Sequence, residues 1–180
     1  LVIKSPWPAM TRGLLHDDQR YIETYWSRFD NIWFHGDYVC VDKDNLWYMR
    51  GRTDDVINVS GHRMSTTEIE HTVISHDKIS DAASIAIPDD ITGEAIVVFF
   101  VSHNKSDIVT QSEISDHIST KIGKLAKPKY IFQLTDLPKT RTGKIMRRLL
   151  KLKLLGMELG DLSSLENPVV LEEIQQLTTN

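Results

Sequence analysis

The 180-residue chain has a single cysteine, Cys40, so no intrachain disulfide can form and a reducing compartment is implied. No apolar run approaches the roughly 18 residues that span a bilayer, and no secretory leader pattern opens the chain. A cytoplasmic location is therefore expected. Charge is nearly balanced, with 21 Lys and Arg against 25 Asp and Glu and a net charge of −4. That balance removes any global attraction to nucleic acid or an anionic membrane. Internal repeats and low-complexity tracts are also lacking. What is present is ordinary for a soluble chain: 41% hydrophobic and 26% charged residues, enough to bury a sizeable core. The length suits one domain, or a small domain plus part of another. There is no initiator Met, and Leu1-Val2-Ile3-Lys4 reads as a strand already in progress. We expect a fragment whose upstream portion holds most of an active site.

The most informative stretch runs from Gly51 to Arg63 (Gly-Arg-Thr-Asp-Asp-Val-Ile-Asn-Val-Ser-Gly-His-Arg). Val56, Ile57 and Val59 predict a short strand, since branched side chains suit a pleated, half-buried surface. Ser60-Gly61 breaks it, with Gly61 free to take a positive φ. His62 and Arg63 follow on the exposed side of the turn. An Arg on a rigid turn suits a phosphate, because its planar fork donates bidentately and keeps its charge. An ordinary strand–turn–helix junction with solvated charges has the same spacing.

Before this stretch, Asp17 to Phe29 predicts a helix with Asp17 and Asp18 at its acidic start. Ile22, Tyr25, Trp26 and Phe29 recur on one face as candidate core. Tyr38–Val41 and Leu46–Met49 predict a hairpin closed by Asp42-Lys43-Asp44-Asn45. After it, Ser65-Thr66-Thr67-Glu68 and Thr110-Gln111-Ser112-Glu113 fit capping boxes. The first opens a helix over Thr66–Ser75. Ile114, Ile118 and Ile122 line the second helix. Strands are predicted at Ala82–Ile87, Ala95–Ser102 and Tyr130–Leu134. The order is β-α-β-β-α-β, an α+β domain with helices on one sheet face. From Ile145 a basic amphipathic helix is expected. Residues from Glu158 onward read as a frayed tail with a short helix around Val169–Leu177. The basic run Lys139, Arg141, Lys144, Arg147, Arg148, Lys151 and Lys153 would also suit a nucleic-acid or membrane-surface patch.

Three motifs carry a resemblance. The Gly51–Arg63 stretch resembles the hinge motif of the AMP-forming acyl-CoA synthetases within the adenylate-forming superfamily, close to the acetyl-CoA branch. Leu137-Pro138-Lys139-Thr140-Arg141-Thr142-Gly143-Lys144 resembles the family's C-terminal lysine motif. Trp33-Phe34-His35-Gly36-Asp37 resembles its Gly-Asp nucleotide motif. The motifs stand in the family's order between Trp33 and Lys144.

The resemblance implies three segments: residues 1–52 as the β-rich end of a large N-terminal domain, 53–156 as a mobile C-terminal domain, and 157–180 as a tail. It implies activation of a short carboxylate with ATP to an acyl-adenylate, then transfer to coenzyme A with release of AMP and pyrophosphate. The missing N-terminal domain of the same enzyme is the expected partner, with neither nucleic acid nor membrane. Lys144 is implied as the adenylation lysine and as a site for a lysine acetyltransferase and deacetylase. Asp37, assisted by Arg52, is implied to bind the ribose. Asp54 matches the hinge, Gly61 the pantetheine tunnel, and Arg63 the phosphate and coenzyme A contacts. His76 matches a position contributing to bound Mg2+. On residues alone, Asp37 also reads as a turn Asp, Lys144 as a surface lysine and His76 as a helix C-terminal histidine.

This sequence departs from the family at Ser65, where Gly is common. It departs again at Ser119, where an Arg grips the nucleotide of coenzyme A, although Lys121 lies close by. A phosphate loop of the family's type and an acyl pocket are absent from these residues, so the isolated chain is expected to be inactive. The alternative is a free-standing binding or regulatory module of the same fold without catalysis.

Overall fold

The chain divides after Asp54 into two units, Leu1–Asp54 and Asp55–Asn180, in the computed structural model, which describes residues 1–104, 107 and 109–177.

In the first unit, β1 (Val2–Ile3) pairs antiparallel with β2 (Trp33–Phe34), and α1 (Asp18–Tyr25) lies between them in sequence. The Asp17 carboxylate caps α1 by accepting the Arg20 N–H. Trp33, almost fully buried, stacks on Tyr25 at 4.2 Å and meets Trp7 and Trp26 edge-on. The helix ends four residues before the expected Phe29. There the Ser27 N–H reaches back to the Ile22 carbonyl, and the Ser27 hydroxyl donates to the Glu23 carbonyl. Ile22 and Phe29 are about half exposed, and the buried ring on this helix is Tyr21. A helical period alone identifies a stripe, and here the core selects a neighbouring one. The expected hairpin is present as β3 (Asp37–Val41) and β4 (Trp47–Arg52). Its turn closes on Asp42, whose carboxylate accepts the Asp44 and Leu46 N–H groups.

The second unit opens with a two-residue hairpin, β5 (Val56–Val59) and β6 (His62–Ser65). Ser60 (φ 50°) and Gly61 (φ 83°) both take positive φ, as the tightest hairpin turns require. The sequence reading lacked β6, because His62–Ser65 has no apolar alternation to betray a strand. Next come α2 (Thr66–Ile74), β7 (Ile79–Asp89), β8 (Gly93–Ser102), α3 (Gln111–Lys121), β9 (Tyr130–Gln133), α4 (Arg147–Leu154) and α5 (Val169–Leu177). The capping box at Thr110 and Glu113 forms in full. At α2, Ser65 occupies the N-cap without a capping side-chain bond, since it is also the last residue of β6.

β7 pairs along the whole of β8, while β9 runs parallel to β8 on the other edge, which β5 joins at Gly93. β8 is the organising strand. Ile96, Val98 and Phe100 face one core with Ile69 and Val73 of α2 and Ile114 and Ile118 of α3. Val97 and Phe99 face a second core with Leu149 and Leu150 of α4 and Val170, Leu171 and Ile174 of α5. Six consecutive residues, Ala95–Phe100, are buried as a result, the pattern of a strand covered on both faces. The sheet thus lies between two helical layers. Expecting helices on one face only was incorrect, because the polar-looking segment after Glu158 carries an apolar stripe that completes the second layer.

Candidate active site

The first group of candidate residues stands at the ends of β3 and β4, where Asp37 and Arg52 are register partners. Arg52 Nη1 donates to the His35 carbonyl at 3.2 Å and to Asp37 Oδ1 at 3.4 Å, and its Nε donates to Asp54 Oδ1 at 3.1 Å. One guanidinium therefore ties the predicted ribose carboxylate to the predicted hinge carboxylate. Burial works against the Arg52 charge, but the hydrogen bond and charge of Asp54, with those of Asp37, outweigh it and hold the pKa above its ordinary value. Gly36 makes room for this arrangement. Its φ is 87°, and a Cβ there would meet the Arg52 guanidinium at 2.6 Å. The Thr53 N–H and hydroxyl both donate to the Gly36 carbonyl, fixing the chain just before Asp54.

The sequence reading missed His35 as a site residue. Its Nε2 lies 3.2 Å from Asp37 Oδ2, and the left-handed Gly36 between β2 and β3, which turns the two side chains together, is a backbone feature that residue type alone does not give.

The second group is the lysine motif. Thr140 N–H donates to the Lys144 carbonyl, Gly143 N–H to the Thr140 carbonyl, and Lys144 N–H to Thr140 Oγ1. Gly143 takes φ 80° within this turn. At its base, Leu137 is fully buried and the Met146 N–H returns to the Pro138 carbonyl. The tip, Arg141 to Lys144, is exposed. The motif's two lysines live in different environments. Lys139 Nζ sits 2.7 Å from Asp81 and 3.2 Å from Asp136, whereas Lys144 projects from an exposed turn. Burial lowers the Lys139 pKa, but those two carboxylates more than offset it and leave the group above its usual range.

The other basic side chains of this run do not form one free patch. Arg147 makes a bidentate pair with buried Glu70, Arg148 donates to the carbonyls of Leu159 and Asp161, and Lys153 bonds Gln175.

Gly61 and Arg63 are exposed on the β5–β6 hairpin, where a Cβ on Gly61 would meet nothing within 4 Å. His76 lies just past α2. Its Nδ1 accepts the Lys78 N–H, and its Nε2 lies 3.6 Å from Glu113 Oε1. Lys78 Nζ already holds that oxygen at 3.2 Å. Magnesium favours several oxygen ligands. An imidazole beside a carboxylate already paired with a lysine fits it poorly. Among the described residues no group of three or more His, Cys, Asp or Glu side chains is placed to hold a metal. The Ser119 hydroxyl turns back to the Ser115 carbonyl, and the Lys121 ammonium bonds Ser75 Oγ at 2.7 Å. No helix among the described residues is long and apolar enough to cross a membrane.

Residues 68–144 match the family model of the AMP-binding enzyme C-terminal domain. The chain is 45% identical over 179 residues to the acetyl-coenzyme A synthetase of Pyrobaculum aerophilum, covering 98% of this chain and 27% of that protein. It is 43% identical over 179 residues to the acetyl-coenzyme A synthetase of Streptomyces coelicolor, covering 97% of this chain and 27% of the relative. The chain thus spans about a quarter of the length of these curated relatives. Among solved structures, acetoacetyl-CoA synthetase from Streptomyces lividans aligns over 99% of this chain and 28% of its own, with a TM-score of 0.85 at 22% identity. ATP-bound MatB from Rhodopseudomonas palustris aligns over 78% of this chain and 27% of its own, with a TM-score of 0.68 at 20% identity.

Proposed function

We propose that this chain, whose residues 68–144 match the AMP-binding enzyme C-terminal domain family, is the C-terminal portion of an AMP-forming acyl-CoA synthetase of the acetyl-CoA type. In the first half-reaction a short carboxylate attacks the α-phosphorus of ATP, which arrives as its magnesium complex. Pyrophosphate leaves and an acyl-adenylate forms. In the second, the thiol of coenzyme A attacks the acyl carbon, loses its proton and expels AMP.

The observation that carries this reading is the contrast within the lysine motif. Lys139 is held in ion pairs while Lys144 stands exposed on a hydrogen-bonded turn. Negative charge builds on the α-phosphate during adenylation, and a fixed cation delivered to that point lowers the barrier. Lys144 is the arm suited to deliver it. Asp37 and Arg52 serve the adenylate ribose, the carboxylate accepting from its hydroxyls. Asp54, next to the boundary between the two units, is the position about which the C-terminal domain turns between half-reactions. Gly61 and Arg63 then face coenzyme A, the glycine leaving space for pantetheine and the arginine meeting phosphate. An exposed Lys144 is also open to an acetyltransferase and a deacetylase. Acetylation would remove its charge and silence only the first step.

The test is Lys144→Gln in the full-length enzyme. Loss of one such contact in a dry site is worth roughly 3–4 kcal/mol, so adenylate formation should fall about 10²–10³-fold. Thioester formation from supplied acyl-adenylate should remain near normal. Lys127→Gln, at another exposed lysine, controls for loss of basic charge. Equal losses in both half-reactions would refute the assignment.

A further inference from the structure

The Lys144 turn has no packing of its own at its tip, so its aim depends on what holds its base. On one side the motif folds onto itself, with Lys139 bridged to Ile145. The other side is held by the segment that follows α4. Thr140 is bridged antiparallel to Leu165, and the Glu166 N–H donates to the Lys139 carbonyl at 2.9 Å. The Asn167 side chain then extends this pairing where the backbones diverge. Its Oδ1 accepts the Lys139 N–H at 3.1 Å, and its Nδ2 donates to the Leu137 carbonyl at 2.8 Å and to Asp136 Oδ2 at 2.7 Å.

Three of the four hydrogen bonds open to an Asn side chain are thereby used on one short segment at the start of the motif. A single planar amide fixes Asp136, Leu137 and Lys139 together. Asn167 is itself fixed on both sides. Pro168 biases it to extended backbone, while Leu165 packs against the second core, where Val170, Leu171 and Ile174 of α5 are buried.

We infer that Asn167 is a positioning residue for Lys144, acting through the segment Asp136–Lys139 to set the direction in which the lysine turn points. This rests on the adenylation role proposed for Lys144. Asn167 acts through the backbone rather than on substrate, and its work is finished when the base of the turn is rigid.

The experiment uses the full-length enzyme with Asn167→Ala, Asn167→Asp, Lys144→Gln, and Ser163→Ala as a control in the same segment. Asn167→Asp keeps the shape and the Oδ1 acceptor but loses both donors and turns a carboxylate toward Asp136. It therefore separates lost hydrogen bonds from lost packing. Two readouts are taken. The first is the rate of native-state tryptic cleavage after Arg141 and Lys144, which needs no catalysis. The second is the rate of each half-reaction per titrated active site. Both Asn167 variants should speed cleavage in the turn several-fold. They should also slow adenylate formation about ten- to a hundredfold, as a misplaced group of this kind does. Thioester formation should stay within about twofold, and Ser163→Ala should match the parent in both readouts. A merely structural role predicts proportional losses in both half-reactions, and that result overturns the inference. Unchanged cleavage or unchanged adenylation in the Asn167 variants overturns it as well, leaving the Lys144 assignment standing. If Lys144→Gln adenylates normally, both fall together.

Discussion

Glu70 and Arg147 provide the sharpest test of how the second unit is held together. Glu70 of α2 is 5% exposed. Its carboxylate accepts Arg147 Nε at 2.8 Å, Arg147 Nη2 at 2.6 Å and the Ser84 N–H of β7 at 2.8 Å. Three elements, one helix from each layer and a strand between them, thus meet at one carboxylate. Arg147→Met removes two of its three donors and leaves a buried charge with a single partner. Breaking a buried pair from one side costs about 3–5 kcal/mol. At roughly 2.1 cal/mol/K per residue over residues 55–180, 1 kcal/mol corresponds to about 4 °C, so Tm should fall by about 11–19 °C.

Glu70→Leu combined with Arg147→Met removes both charges. Its residual cost is the Ser84 N–H left without an acceptor, about 1–3 kcal/mol. The double variant should therefore be more stable than Arg147→Met alone. Urea denaturation of the chain, followed through hydrogen exchange of α2 amides, measures both. A single-variant loss below about 1 kcal/mol, or a double variant as unstable as the sum of the singles, would refute the reasoning.

Three further outcomes are expected. Asp89 accepts hydrogen bonds from Lys129 first, then from the Thr92 N–H and hydroxyl and the Ile91 N–H, which hold its carboxyl far below the usual carboxylate range. A depressed folded-state pKa stabilises above the unfolded value and is lost as pH falls below about 4, so Asp89→Asn should flatten the acid limb of a stability-against-pH curve. Gly36→Ala sets a Cβ against the Arg52 guanidinium and forces a left-handed alanine at about 1–2 kcal/mol. AMP affinity of the full-length enzyme, measured by calorimetry, should drop several-fold. Asp54→Pro fixes φ near −65° and should depress one half-reaction of the full-length enzyme far more than the other, which separate assays of the two steps would detect.

Much of the fold is legible because single segments declare themselves. The run Ala95–Phe100 reads as a strand from its apolar content alone, and Thr110 with Glu113 spells out a helix start. What escapes is whatever depends on distant partners. β6 is a strand because β5 lies beside it, and its own residues carry no period. α5 can be located from its apolar residues, but that it closes a second core is visible only once β8 shows two buried faces. The same limit applies to the site. On residue type alone Lys139 and Lys144 look equivalent, and Asp81, 58 positions upstream, is what makes the first an ion-paired anchor.

The two-faced burial of β8 also bears on how the chain is made. One face is covered by α2, which precedes it, and by α3, which follows closely; the other waits for α4 and α5. About 67 residues separate Ser102 from Val169, which at 5–20 residues per second is roughly 3–13 seconds of synthesis. Until first α4 and then α5 emerge within that interval, the nascent sheet presents Val97 and Phe99 to its surroundings. The ribosome therefore releases a domain whose vulnerability to misassembly is set by translation speed over residues 103–168, and slow codons there would lengthen it.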